Sequence, residues 1–208
     1  MTRTAVLLAG MGAFLCWAGP TRGQVFQPIP PDRVEEISRL LLELSGKLPQ
    51  PVKCEGDCSK ATGLYIQGAG LMVIPRKDLQ EGKLDGVQQP EGAPIGYLFL
   101  HRLQIVAGKE PIAEERLLKS RFTDSSGVER EVTVLYLTVH RDSDNTWKLL
   151  ILSKQKQPLA AFPFRSDKRE SSLPLDVSAS EIQDKQTKLT VIVFGKYAAD
   201  IPLKIVGD

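Results

Sequence analysis

Residues 131–140 read Glu-Val-Thr-Val-Leu-Tyr-Leu-Thr-Val-His, with apolar side chains at both odd and even positions. Successive side chains of a strand point to opposite faces, so a run that is apolar at both parities reads as a buried central strand. Residues 147–153 and 188–194 have the same two-sided character. Between the first two runs, Arg141-Asp-Ser-Asp-Asn-Thr146 has the polar, turn-forming residues of a hairpin loop. Residues 201–206 alternate and contain Pro202, which suits an edge or outer strand. Residues 175–182 are compatible with strand or helix.

Upstream, residues 63–75 carry two short β-type runs around Gly68-Ala69-Gly70, the pattern of a hairpin or of a glycine bulge in one bent strand. Residues 76–95 are polar and rich in Gly and Pro and read as a surface excursion. Residues 97–107 are expected as one strand with Tyr97, Phe99, His101, Leu103 and Ile105 on a single face. Consecutive strands with short polar connections favour antiparallel pairing.

Two helices are expected. Asp32 with Glu35 three residues on forms a capping-box pattern. Val34, Ile37, Leu40, Leu41 and Leu44 then recur on one face and Arg33, Glu36, Arg39 and Glu43 on the other. Gly46, Pro49 and Pro51 end the helix. A shorter central helix is predicted over 111–120, with Pro111 at its start, early Glu114 and Glu115, and a Glu115–Lys119 pair. The resulting fold class is α+β or mainly β: antiparallel sheet or sheets, an N-terminal amphipathic helix covering one face, and one shorter central helix. No internal repeat is visible.

The first 23 residues have the layout of a secretory signal peptide. Arg3 precedes the uncharged run Ala5–Ala18, and small residues at Ala18 and Gly23 offer cleavage points. The run is shorter than the ~20 apolar residues a membrane-spanning helix needs, and no later stretch reaches that length. The predicted organisation is a signal peptide at 1–23, a Pro-rich tether at 24–31 and a single α+β or β-rich domain at 32–208. The product is expected to be exported, periplasmic or secreted, and soluble once processed. The full chain carries 27 basic and 25 acidic residues; Arg3 and Arg22 are the only charges in the leader, so processing leaves 25 of each. A neutral chain gives no global electrostatic case for nucleic acid, and near-zero charge leans toward self-association or a protein partner.

Chemistry is sparse. Cys54 and Cys58 are an even pair in a chain read as exported, which predicts a disulfide turned at Gly56. The alternatives are a redox dithiol, usually CxxC, and a metal pair, which lacks the remaining ligands of a zinc site. His101 and His140 are the two imidazoles of the chain and the candidates for catalysis, or for a joint zinc site if their strands are neighbours. No Ser lies in a G-x-S-x-G turn. Asp142, Asp144 and Asn145 lack the Gly and Glu of a calcium loop and read as turn formers. Gly68 and Gly70 lack the third Gly and following helix of a phosphate loop. No cofactor and no metal are expected. Residues 148–170 hold six basic residues, Lys148, Lys154, Lys156, Arg165, Lys168 and Arg169, against two acidic ones, a candidate basic patch for a polyanion or small ligand.

The segment Gly63-Leu-Tyr65-Ile-Gln-Gly68-Ala-Gly70-Leu-Met-Val73, together with Leu189-Thr-Val-Ile-Val-Phe194, resembles exported bacterial proteins of uncharacterised function that carry a G-h-Y-h-x-G-x-G-h-h-h segment. Met72-Val-Ile-Pro75 stands where that pattern has an aromatic. The resemblance implies a bacterial envelope setting and carries no activity and no site residues. The functional expectation is a protein-interaction or structural module of the envelope. The alternatives are an envelope hydrolase using His101 or His140, and small-ligand or polyanion binding through residues 148–170.

Overall fold

A computed structural model describes residues 24–66, 68–123, 127–167, 169 and 171–207. The leader expectation for 1–23 and the patch residue Lys168 lie outside the described residues. In chain order the elements are β1 (Gln27–Pro28), α1 (Pro31–Gly46), β2 (Thr62–Ile66), β3 (Ala69–Pro75), β4 (Ala93–His101), β5 (Leu103–Ala107), β6 (Glu110–Pro111), β7 (Leu118–Thr123) and β8 (Glu129–Arg141). There follow β9 (Trp147–Leu152), β10 (Ala160–Pro163), β11 (Arg165–Ser166), β12 (Leu175–Ala179), β13 (Gln186–Val193) and β14 (Tyr197–Ile205).

All strand pairs are antiparallel and form two sheets. The first runs β1-β2-β3-β4-β8-β9-β10, with β7 also paired to β8. The second runs β12-β13-β14-β5-β6, with β11 also paired to β14. One face of the first sheet packs on the second through Val73, Leu98, Leu100, Leu135, Leu137 and Ile151 against Leu175, Leu189, Val191 and Ile201. Its other face carries Met72, Ile74, Tyr97, Phe99, Val134 and Tyr136, which pack with Val34 and Leu41 of α1. The molecule is therefore a helix laid on a two-sheet sandwich, and the first sheet is the middle layer. That is why β8 is apolar at both parities: eight successive residues, Val132–Val139, are all buried.

The α+β, antiparallel reading holds, with local differences that have physical causes. Asp32 is not the cap. The helix begins at Pro31, whose missing N–H costs nothing in the first turn, and Pro30 makes no side-chain cap bond. The buried stripe is Val34, Ser38, Leu41 and Ser45, while Leu40 is 38% exposed. Ser38 and Ser45 sit against the sheet because each hydroxyl donates to a carbonyl of its own helix, Glu35 O at 2.9 Å and Leu42 O at 2.9 Å. Small, internally satisfied side chains let the helix approach closely. The expected tether 24–31 is docked instead, extended over 24–30 and helical from Pro31. Phe26 is buried, Gln27–Pro28 pair with β2, and Ile29 N–H donates to Gly63 O at 2.9 Å.

The central helix predicted over 111–120 does not form. A single 3₁₀ turn at Glu114–Arg116 is followed by β7, which fills the flank of β8 that β9 leaves open. Ladder bonds and the burial of Leu118 outweigh helix propensity there. The strand expected over 97–107 is broken at Arg102, whose φ is 54°. There the chain leaves the first sheet as β4 and enters the second as β5. Tyr97 and Phe99 consequently face α1, while Leu103 and Ile105 face the sandwich core. β14 is central rather than an edge. Pro202 is tolerated because, on the side away from β13, it falls between the residues paired with β11 and those paired with β5.

Candidate functional site

α1 covers only part of the middle sheet. Beyond it lies an open groove of about 350 Å³, floored by Met72, Phe99 and Val132 and walled by Ile37 of α1 and Phe122 of β7. Tyr65, His101, Arg130 and the Gly68–Gly70 turn form its rim. The turn is a β2–β3 hairpin with Gly68 at φ 78°, the conformation that glycine adopts without strain. The volume lies within the ~300–1,000 Å³ usual for ligand clefts.

His101 is held where β4 departs from β8. Leu100 is the last β4 residue paired to β8, opposite Thr133, so the Glu131 carbonyl has lost its strand neighbour on that side. His101 Nδ1–H donates to it at 2.8 Å. A carbonyl only accepts, so the proton resides on Nδ1, and in the neutral ring Nε2 carries the lone pair at the groove rim. His140 is tied in the same manner to Gln89 O, at 2.9 Å. The two strands that bear these rings are neighbours, but the rings are at opposite ends of the ladder. His140 is eight residues along β8 from Val132, the residue beside His101, about 26 Å at roughly 3.3 Å per residue. No joint zinc site or dyad forms. Among the described residues no cluster of three His, Cys, Asp or Glu could hold a metal ion.

Cys54 and Cys58 both stand as free thiols rather than the expected disulfide. Cys54 is buried under α1, and burial pushes its thiol up to about 12, so it is protonated and inert at neutral pH. Cys58 is half-buried at the start of a 3₁₀ turn, Cys58–Lys60, with Asp57 as its cap.

The described residues of the candidate basic patch are each engaged. Lys148 pairs with Asp142 at 2.8 Å, Lys156 with Glu91 at 2.8 Å and Arg165 with Asp167 at 3.1 Å and Asp200 at 3.4 Å. Arg169 reaches Asp167 at 3.4 Å, and Lys154 Nζ donates to Glu115 O at 2.5 Å. Lys148 holds the Asp142 carboxyl below its ordinary range, with help from the Thr146 N–H, so that aspartate serves the hairpin loop. The surface excursion and the basic segment thus meet through Glu91–Lys156.

The groove was not legible from sequence because its lining comes from α1 and five separate strands, β2, β3, β4, β7 and β8. His101 was the one rim residue singled out by residue type alone. With this geometry in hand, comparison with protein-family models, with curated proteins and with solved structures gives no match. No helix among the described residues is long and apolar enough to cross a membrane.

Proposed function

We propose that the protein is an exported, non-enzymatic binding module that holds an apolar segment of a partner protein in the groove between α1 and the β7–β8 hairpin. The observation that carries this reading is the apolar groove beside α1, with Met72, Phe99 and Val132 at its floor, Ile37 and Phe122 as its walls, and His101 and Arg130 at one rim. The floor suits large apolar side chains. The two rim groups are a hydrogen-bonding imidazole and a guanidinium, which complement an acidic residue beside that segment. The open side favours a chain lying along the groove over a small molecule enclosed in it. Ion pairing of Lys148, Lys156, Arg165 and Arg169 supports this reading over polyanion binding. The separation of the two imidazoles to opposite ends of β8, about 26 Å along the strand, supports it over a hydrolase that uses both histidines together.

Export rests on the leader-like sequence of residues 1–23. N-terminal sequencing of the protein isolated from the cells that make it is expected to begin at residue 19 or 24. A start at Met1 in a cytosolic fraction refutes export. For the groove, a photo-crosslinking amino acid at Phe122 is expected to capture one protein partner in those cells, with loss of the adduct in Arg130→Glu. The same probe at Asn145, in the loop beyond the opposite end of β8, is expected to capture nothing. Equal capture at both positions, or none at Phe122, refutes the groove as the binding surface. An adduct consisting only of a second copy of this chain reassigns it to self-association.

A further inference from the structure

A second cavity lies at the other end of the sandwich, between the two sheets. It encloses about 240 Å³ and is lined by Val139, Trp147, Phe164, Phe194 and Tyr197, with Leu84 of the 76–92 excursion as its outer wall. Two observations set it apart from ordinary core packing. Trp147 is 38% exposed and Tyr197 44% exposed, so large aromatic surface is left facing the same opening from two different sheets. Phe194 also has an unfavourable backbone. It and Gly195 have φ of 55° and 65° in the β13–β14 turn, which is closed by Lys196 N–H to Val193 O at 3.1 Å. Two consecutive positive φ values make a type I′ turn, for which Asn-Gly is the unstrained pair. A bulky aromatic in the first position is an outlier, and such strain persists where a side chain is needed at a particular place.

From this geometry we infer that the cavity is a binding site for a flat, uncharged, two-ring aromatic molecule. Four aromatic side chains surround the space, and ring faces and edges favour a planar guest. The size is informative: an engineered apolar cavity of about 150 Å³ accepts benzene, so a space larger by more than half fits a fused pair of rings. Its one charged lining group, Glu81, is neutralised by Lys196 at 2.6 Å. That pair also ties the excursion wall to the turn bearing Phe194. Arg141 sits 5.5 Å over the Trp147 ring and fixes its plane. The site is independent of the groove, which opens on the α1 face near His101.

The test is isothermal titration calorimetry of the full chain with 2-naphthol, neutral at pH 7. One saturable site is expected, with affinity falling at least tenfold in Phe194→Asn, a change that keeps a turn-compatible residue. Leu84→Trp, which fills the cavity without touching the turn, is expected to abolish binding. Phe122→Ser, in the groove, is expected to leave it unchanged. No saturable binding overturns the inference, as does affinity unaltered in both cavity variants. Loss in Phe122→Ser alone, or preference for cellobiose over 2-naphthol, overturns it too.

Discussion

Two buried hydroxyls in the middle layer have opposite consequences. Ser153 is fully buried at the junction where β9 ends and β7 begins along the same flank of β8. Its Oγ accepts from Leu118 N–H at 2.7 Å and donates to Val134 O at 3.1 Å, completing a ladder that neither strand reaches. Ser153→Ala leaves a buried donor and a buried acceptor unmet, and thermal or urea unfolding is expected to show a loss of about 2 kcal/mol. Tyr136 is equally buried, yet its hydroxyl has no hydrogen-bond partner, and burial raises its ionisation to about 12. Tyr136→Phe removes an unpaired polar atom and keeps the ring tilted against Tyr97, centroids 5.0 Å apart. Stability is expected to stay level or rise by up to about 1 kcal/mol; a clear loss would show that the hydroxyl is engaged. Neither role was legible beforehand. A serine at a strand end and a tyrosine within an apolar run look ordinary until the register places them.

At the scale of elements, β4 and β7 teach the most. β4 reverses which parity faces the sandwich: Ile95 faces it, and so do Leu98 and Leu100, because a bulge between Pro94 and Gly96 inserts one residue. Gly96 lies so close to the β3 backbone that a Cβ there would meet the Ile74 carbonyl oxygen. Gly96→Ala is therefore expected to cost about 3 kcal/mol in chemical unfolding, far more than a surface strand glycine would. β7 is fastened to β8 by charge. Lys119 lies 2.9 Å from Glu114 and 2.8 Å from Glu131, and Arg121 reaches Glu131 at 3.3 Å. The hydrogen bond from Lys119 leads in holding the Glu131 carboxyl below 4.5, and Glu131 in turn raises Lys119. Glu131 thus adds stability that is present above the ordinary carboxylate range and disappears as pH falls through its lowered value. Lys119 adds stability present below about 10.5 and lost as pH rises through its raised value. Both pairs are partly exposed, so each effect should stay under about 1 kcal/mol. Melting curves from pH 6 down to 3 are expected to be shallower in Glu131→Gln than in the unmodified chain; identical slopes would dismiss the pairing. The charges Glu114, Glu115 and Lys119 looked helical in sequence because the same spacing serves a helix. What decided otherwise was the unfilled flank of β8, a non-local fact.

At the scale of the whole molecule, the three layers differ in how they are held. The strands β4, β8 and β13 are paired on both sides, and their apolar residues lie in closed interfaces. α1 rests on one face only, with four buried residues, no side-chain N-cap bond and no basic residue in its last turn. Its presence was plain from periodicity, and so was the two-sided apolarity of β8 that required a cover. Its rotation toward Ser38 and Ser45 was hidden, because a serine satisfied within the helix carries no apolar signature. Equally hidden was the switch at Arg102, since nothing in a non-glycine residue announces a positive φ. These differences imply a stability gradient: a helix attached along one stripe opens at lower cost than strands that must break two ladders. Native-state hydrogen exchange is expected to show α1 amides exchanging well before those of β8 residues 133–139. Leu41→Ala, which removes a buried side chain of α1 from the cluster it shares with the middle sheet, should accelerate the helix by tenfold or more while leaving β13 nearly unchanged. Uniform acceleration of all three elements would mean that the helix and the sandwich unfold as one unit. The groove beside α1 would then be a fixed notch, whereas independent opening makes its width depend on the position of the helix.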